Sequence, residues 1–403
     1  MDGRVPVCIV VEIEGKLQIN LYRDGNRVRD VDIHSSRPLQ ATRIFHGKTI
    51  PELLQTMPLL YHVCGMAQAS AAVTACEQAM SIRPCEASMH AREMLVWMET
   101  AREHCWRILI DWTDKLGDEK NKTAIVQLQQ LLPELKKALF SNGDGFSPGA
   151  QVAVNTGAVQ SIIQRLKQLL EEIVYSLSIE QWSGYADWYT FEQWLLSEDT
   201  VVAKILRQLA KMDELGSLNA SVSFLPMLDD ASLHQRLLQP DADHFIAQPL
   251  WQGEPCETTV LCRQQQHPLV AAMFNVNANG AMTRMVARLV ELANIPAILE
   301  RLLRQIASSQ QQKHSSTAKQ DTGVGLAQIE AARGRLVHRL ELQQGIVRRY
   351  QILAPTEWNF HPRGIAAQLL KTLPVKDEST LKQQVDLLIS IIDPCVRYEM
   401  AVH

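Results

Sequence analysis

Ile329-Glu330-Ala331-Ala332-Arg333-Gly334, followed by Arg335 to Leu342, Gln344-Gly345, Ile346 to Leu353 and then Pro355-Thr356-Glu357-Trp358-Asn359-Phe360-His361-Pro362-Arg363, is the stretch on which the fold is decided. The two runs flanking Gln344-Gly345 have the spacing of a β-hairpin closed by a glycine-containing turn. Arg333, followed by Gly334 after two alanines, predicts a fixed turn that presents a guanidinium fork inward. Arg363 in Pro362-Arg363-Gly364 has a similar setting, and Arg333 is the better candidate of the two.

Outward from this segment, helical spacing dominates. Met94, Trp97, Met98, Ala101, Cys105, Ile108 and Trp112 recur every three or four residues and predict one long, one-sided helix. Val159, Ile162, Ile163, Leu166, Leu169, Leu170 and Ile173 repeat the pattern, and a third apolar helix is predicted from Met282 to Ile306 with a bend at Pro296. A last helix near Thr380 to Ile392 ends at Asp393-Pro394. At the start, alternation from Val5 to Val11 and from Leu17 to Leu21, with Asp24-Gly25-Asn26 after it, predicts a small antiparallel sheet. Ser308 to Thr322, rich in Gln, Ser and Lys, reads as a mobile loop. The expected fold class is α+β, predominantly helical: a long central helix bundle with small antiparallel sheets from both end segments. The segments are 1–48, 49–307, 308–322 and 323–403 of a single domain.

The composition is that of a globular protein, with 46% hydrophobic and 21% charged residues in a 403-residue chain. Forty basic against 44 acidic residues give a net charge of -4, with the basic residues scattered, so nucleic acid is not an expected partner. The first residues lack the pattern of a secretory signal and no apolar run reaches membrane-spanning length, so a cytoplasmic protein without membrane contact is expected. Eight cysteines are too sparse for a secreted disulfide framework, and none forms a Cys-x-x-Cys pair, so reduced thiols are expected and a structural zinc site is not.

Several separated blocks resemble the nickel-iron hydrogenase large subunit, in the family's order. Glu12-Ile13-Glu14-Gly15-Lys16-Leu17 resembles its Arg-Ile-Glu-Gly-His-Leu block, and His62-Val63-Cys64-Gly65-Met66-Ala67 its Arg-Ile-Cys-Gly-Val-Cys block. Gly253-Glu254-Pro255-Cys256-Glu257-Thr258 with Leu261-Cys262-Arg263 is a degraded counterpart of a central block. The segment from Gly323 to Gly364 is the longest match. Asp393-Pro394-Cys395-Val396-Arg397-Tyr398 resembles the terminal Asp-Pro-Cys-x-x-Cys-x-x-His block, with Ala401 where the histidine belongs and His403 two residues later. Each cysteine pair keeps its first member only, since Ala67 and Tyr398 stand at the second positions. Within the family this looks like the cysteine-poor homologues known as HupK or HoxV, which are assigned to hydrogenase maturation.

That resemblance implies a specific chemistry. In the catalytic family four thiolates hold nickel, and the second cysteine of each pair also bridges to an iron carrying one carbonyl and two cyanides. Ala67 offers no ligand, and a Tyr398 phenol is a hard substitute for a soft bridging thiolate. The expectation is a pseudo-enzyme without hydrogen turnover and without nickel. Cys64 and Cys395 would hold an Fe(CN)2(CO) unit transiently, and Arg333 and Thr356 would satisfy cyanide nitrogens beside Pro355. Glu14 matches a proton-relay glutamate, and Tyr398 and His403 are placed at the same pocket. Expected partners are other maturation proteins and the large-subunit precursor, and no carboxy-terminal processing is implied.

The alternatives are a metal-free interaction protein that imitates the large subunit, and an enzyme, either a divergent hydrogenase or a quinone-site subunit of the related respiratory complex. The missing thiols disfavour the enzyme readings. Cys8, Cys76, Cys85, Cys105, Cys256 and Cys262 are read as packing residues, His62 as a satisfied histidine at a helix start, and Trp182, Trp188 and Trp194 as core or partner surface.

Overall fold

Strands β1 (Lys16–Asp24) and β2 (Arg27–Ser35) form an antiparallel hairpin around Gly25, whose φ of +58° suits the first position of a tight turn. Their alternation places Leu17, Ile19, Leu21, Val31 and Ile33 in the core. The structure is a computed structural model describing residues 15–38, 41–61, 63–117, 119–141, 143–212, 215, 218–309 and 319–403. The run from Val5 to Val11, Cys8, Glu14 and His62 lie outside these residues, as does 310–318 of the predicted loop.

The first sheet differs from the expectation in one respect. Its third strand is β8 (Arg397–Val402), which lies parallel to β1 with Leu17 opposite Tyr398, so the sheet is mixed and joins the two ends of the chain. A parallel strand needs a long connection, and here almost the whole protein serves as that connection.

Helix α1 (Ile50–Leu60) leads to α2 (Gly65–Ala79) and α3 (Glu86–Trp106), which continues through a π-helical turn at Arg107–Trp112. The predicted stripe on α3 is buried from Met94 to Trp112, with Trp97 partly covered. α3 packs along the 29-residue helix Ala281–Ser309, which passes through Pro296, with Lys122–Leu139 and Thr156–Leu170 alongside. Trp182 and Trp194 are buried in the core, and Trp188 is partly covered against it.

The hairpin read at Gln344-Gly345 is present as β6 (Gly334–Gln343) and β7 (Ile346–Leu353), both turn residues having positive φ. Strand β5 (Gly323–Ala331), not foreseen as a strand, completes an antiparallel sheet on the other side of β6. The preceding helix runs to Ser309, and the described part of the predicted loop is tied down: Gln320 N–H donates to Met80 O and Gly345 N–H to Asp321 O.

β5 lies against the alanine-rich face of α2 at very short range. A Cβ on Gly325 would stand 1.9 Å from Ala75 O, and one on Gly323 2.2 Å from Ala79 O. Small residues on both partners bring the sheet onto the helix whose first turn carries Cys64. A two-residue parallel pair, β3 (Ser223–Phe224) and β4 (Cys256–Glu257), bridges the central block to the sheet region. The architecture is α+β with helices dominant, and no helix among the described residues is long and apolar enough to cross a membrane.

Candidate functional site

Cys64 sits at the N-cap of α2, and Cys395 lies in the short link between helix Glu378–Ile392 and β8. The fold brings these residues, 331 positions apart in the sequence (395 − 64), to the wall of one cavity. They line one enclosed cavity together with Arg37, Tyr61, Gln68, Arg333 and Pro355. Its volume is about 10 Å3, room for a single water.

The environment separates the two thiols electrostatically. The contact with Cys64, the Arg333 and Arg37 guanidinium charges and the Thr356 hydroxyl hold Cys395 below the usual thiol range despite its burial. Cys64 is pushed well above that range by the Cys395 contact, by burial and by the nearby Glu99 carboxylate. Thr356 also accepts the Cys395 backbone N–H at 3.1 Å, which fixes the approach of the terminal segment.

Arg333 emerges from the Ala331-Ala332-Arg333-Gly334 turn between β5 and β6. Gly334 has φ +128°, and a Cβ there would stand 2.0 Å from Thr258 O, so no other residue closes this turn. Arg333 Nε donates to Asp393 Oδ1 at 2.9 Å and Nη2 to Glu103 at 3.2 Å, while the buried Nη1 has no hydrogen-bond partner. Arg333 lines the cavity, and an unpaired buried guanidinium nitrogen is a donor waiting for an acceptor.

Asp393 ends its helix in the left-handed conformation, at φ +70°, where glycine is usual. Its carboxylate gathers three cations: Arg333, Arg107 at 2.5 Å and Arg288 at 3.6 Å. Those charges hold it well below the ordinary carboxylate range, and burial depresses Arg288 to about 10.

Sequence reading missed five contributors. Arg37, on the link after β2, reaches the cavity while paired to Glu357 at 2.8 Å. Gly15 makes this possible, since a Cβ there would stand 2.5 Å from Arg37 Cα. Gln68 Nε2 lies 3.6 Å from Cys64 Sγ, and Gln68 Oε1 faces His338 Nε2 at 2.8 Å, whose other nitrogen meets the Tyr350 hydroxyl at 2.7 Å. Burial holds His338 neutral, with its pKa lowered to about 3, so this chain orients the Gln68 amide toward sulfur. Glu99, raised by burial to about 7, accepts the backbone N–H groups of Met66 and Ala67 at 2.8 and 3.0 Å. Ala67 itself is fully buried. The only sequence signal for these residues was their being polar within otherwise apolar faces.

Other expected pocket residues are elsewhere. Tyr398 lies on β8 with its hydroxyl donating to Asp386 at 2.8 Å, outside the enclosed cavity, because its strand register is set by pairing with β1. It lines instead an open groove of about 820 Å3, shared with Arg107, Asp111, Lys115 and Arg397, which meets the cavity at Val63 and Cys395. His403 stacks on Tyr22 with centroids 5.1 Å apart and its N–H donates to Leu21 O, far from a ligand role. Arg363 is exposed, and Glu14 lies outside the described residues. Among the described residues there is no cluster of three or more His, Cys, Asp or Glu able to hold a metal.

Comparison with known proteins agrees with this fold. Residues 253–403 match the sequence model of the nickel-dependent hydrogenase family. The hydrogenase expression/formation protein HupV of Azotobacter chroococcum is 25% identical, over 96% of this chain and 98% of its own length. Its carboxy-terminal part is thus similar to the nickel-dependent hydrogenases, and its whole length to hydrogenase expression/formation proteins. The chain is also 27% identical to the expression/formation protein HoxV of Cupriavidus necator, over 91% of each chain, and 26% identical to HupK of Bradyrhizobium diazoefficiens, over 97% of each. In fold it is similar to the Ni-Fe-Se hydrogenase of Desulfomicrobium baculatum, with a TM-score of 0.67, 17% identity and coverage of 96% of this chain and 97% of that one.

Proposed function

We propose that this large-subunit homologue is a non-catalytic accessory protein of hydrogenase maturation that receives an Fe(CN)2(CO) unit on Cys64 and Cys395 and passes it on to the large-subunit precursor. The relatives named for hydrogenase expression and formation, similar over nearly the whole chain, support the general role. One observation carries the specific one. Two thiols from opposite ends of the chain meet beside Arg333, whose Nη1 lacks an acceptor, while the second-thiol positions hold Ala67 and an outward Tyr398.

The donor set fits such a cargo. Two soft sulfurs suit iron, and guanidinium groups and the Thr356 hydroxyl suit cyanide nitrogens in a site that excludes water. Two thiolates and two cyanides bring four negative charges to an iron(II), leaving a net charge of two that Arg333 and Arg37 are placed to offset. With no bridging sulfur at positions 67 and 398 there is no shared nickel-iron site at which hydrogen is split. A pair of sulfurs also holds iron less firmly than the full set of the catalytic family, which suits release.

The cavity volume favours a second reading, a metal-free protein that recruits maturation partners by its large-subunit shape. Space for one water does not admit an iron with three diatomic ligands unless lining side chains move toward the groove. Iron analysis of protein purified without air from cells making a nickel-iron hydrogenase separates the two. The carrier reading expects substoichiometric iron that disappears in Cys64→Ser and Cys395→Ser. Equal, background-level iron in all three proteins overturns it in favour of the metal-free reading.

A further inference from the structure

The two sulfurs of the pocket have different surroundings. Cys64, 8% exposed, faces the enclosed cavity only, whereas Cys395 forms part of both the cavity wall and the wall of the open groove. Cys395 therefore stands between Cys64, with which it shares the cavity wall, and a space of about 820 Å3 that accommodates a tripeptide-sized molecule. Thiol–disulfide exchange needs this layout, because the attacking and leaving sulfurs lie on opposite sides of the central one.

We propose that Cys64 and Cys395 form a thiol–disulfide exchange site, oxidised reversibly by a low-molecular-weight disulfide of the glutathione class entering through the groove, and that the bridge so formed closes the pocket to metal. In the first step the Cys395 thiolate attacks one sulfur of the disulfide, the S–S bond breaks, and one glutathione thiolate leaves. In the second, Cys64 attacks Cys395 Sγ from the cavity side, forms the protein bridge and expels the second glutathione into the groove. The two protein thiols lose two electrons and two protons, and one disulfide becomes two thiols.

The groove suits a zwitterionic peptide: its wall carries Lys115 and Arg397 for carboxylates, and Asp111 and Asp114, paired to Arg107 and Lys120, as acceptors for an ammonium group. Selectivity follows from burial. Cys76 and Cys105 are fully enclosed, and Cys262, the other half-buried cysteine among the described residues, lines neither the cavity nor the groove.

The test uses the full chain, prepared anaerobically without metal and exposed to oxidised glutathione, followed by peptide mapping without reduction. The expected product is a Cys64–Cys395 link that excess reduced glutathione removes. In Cys64→Ser, glutathione should be trapped on Cys395 roughly tenfold faster than on Cys64 in Cys395→Ser. Glutathione on other cysteines with no 64–395 link, or a faster reaction at Cys64 than at Cys395, overturns the proposal. If a variant is unfolded by circular dichroism, the link in the unmodified chain decides alone. Because the readout needs no iron, its failure leaves the carrier reading standing, and absence of iron leaves this site standing.

Discussion

Replacing Asp393 by Asn removes one negative charge from the centre of three arginines and changes little else. Asn tolerates the left-handed backbone at this position, and its side-chain oxygen still accepts from Arg333 Nε and Arg107 Nη2. What is lost is the neutralisation of Arg107, Arg288 and Arg333, of which Arg288 and Arg333 are almost completely buried. Breaking a buried pair by removing one partner costs about 3–5 kcal/mol, and that is the loss expected in the unfolding free energy from urea titration. The Asp393 carboxyl is depressed in the folded protein, so its stabilisation is complete above the unfolded value near pH ~3.9 and fades only at lower pH. The loss should therefore be constant between about pH 5 and 8. Adding Arg288→Met should recover about 1–2 kcal/mol, because the variant removes one of the stranded cations. A loss below about 1 kcal/mol, or no recovery in the double variant, refutes the claim that one carboxylate organises this cluster.

Burial lowers the His338 pKa to about 3, so the folded state binds fewer protons than the unfolded one below about pH 6.5, and stability falls as pH falls through that window. His338→Gln should flatten the decline by up to about 1.4 kcal/mol per pH unit between pH 6 and 4, measured by denaturation across that range. Gly325→Ala puts a Cβ 1.9 Å from a backbone oxygen of α2 and should cost about 3 kcal/mol, whereas Gly25→Ala, which meets nothing but has positive φ, should cost about 1 kcal/mol; thermal unfolding ranks them. Iodoacetamide at neutral pH should alkylate Cys395 before Cys64, and Arg333→Met should slow that reaction several-fold, as followed by peptide mass spectrometry. Equal rates at the two cysteines would contradict the different environments assigned to them.

Much of this was legible in the sequence for physical reasons. The helical stripes on α3 and on Thr156–Leu170 were readable because a periodic apolar face has one way to be buried, and the Gln344-Gly345 turn because both central positions need positive φ. The pairing of Cys64 with Cys395 came from blocks at opposite chain ends. Local pattern contains nothing about β8 lying parallel to β1, since parallel pairing is fixed by the packing of everything between the strands. The same register turned Tyr398 toward Asp386 and put His403 on Tyr22, which is why those two pocket assignments failed. Arg37, Gln68, Glu99 and His338 escaped notice because each gains its role only from a partner far away in the chain, as with Gln68 and His338, 270 positions apart.

The central claim is that two sulfurs and two guanidinium groups form a cradle for a cyanide- and carbonyl-bearing iron. An anaerobic infrared spectrum of the protein isolated from hydrogenase-producing cells tests this most directly, because no ordinary protein group absorbs where metal-bound carbonyl and cyanide do. The account predicts one carbonyl and two cyanide bands in the unmodified chain, absent in Cys64→Ser and Cys395→Ser and shifted in Arg333→Met. A spectrum empty in that region, or bands that persist without either cysteine, would contradict it.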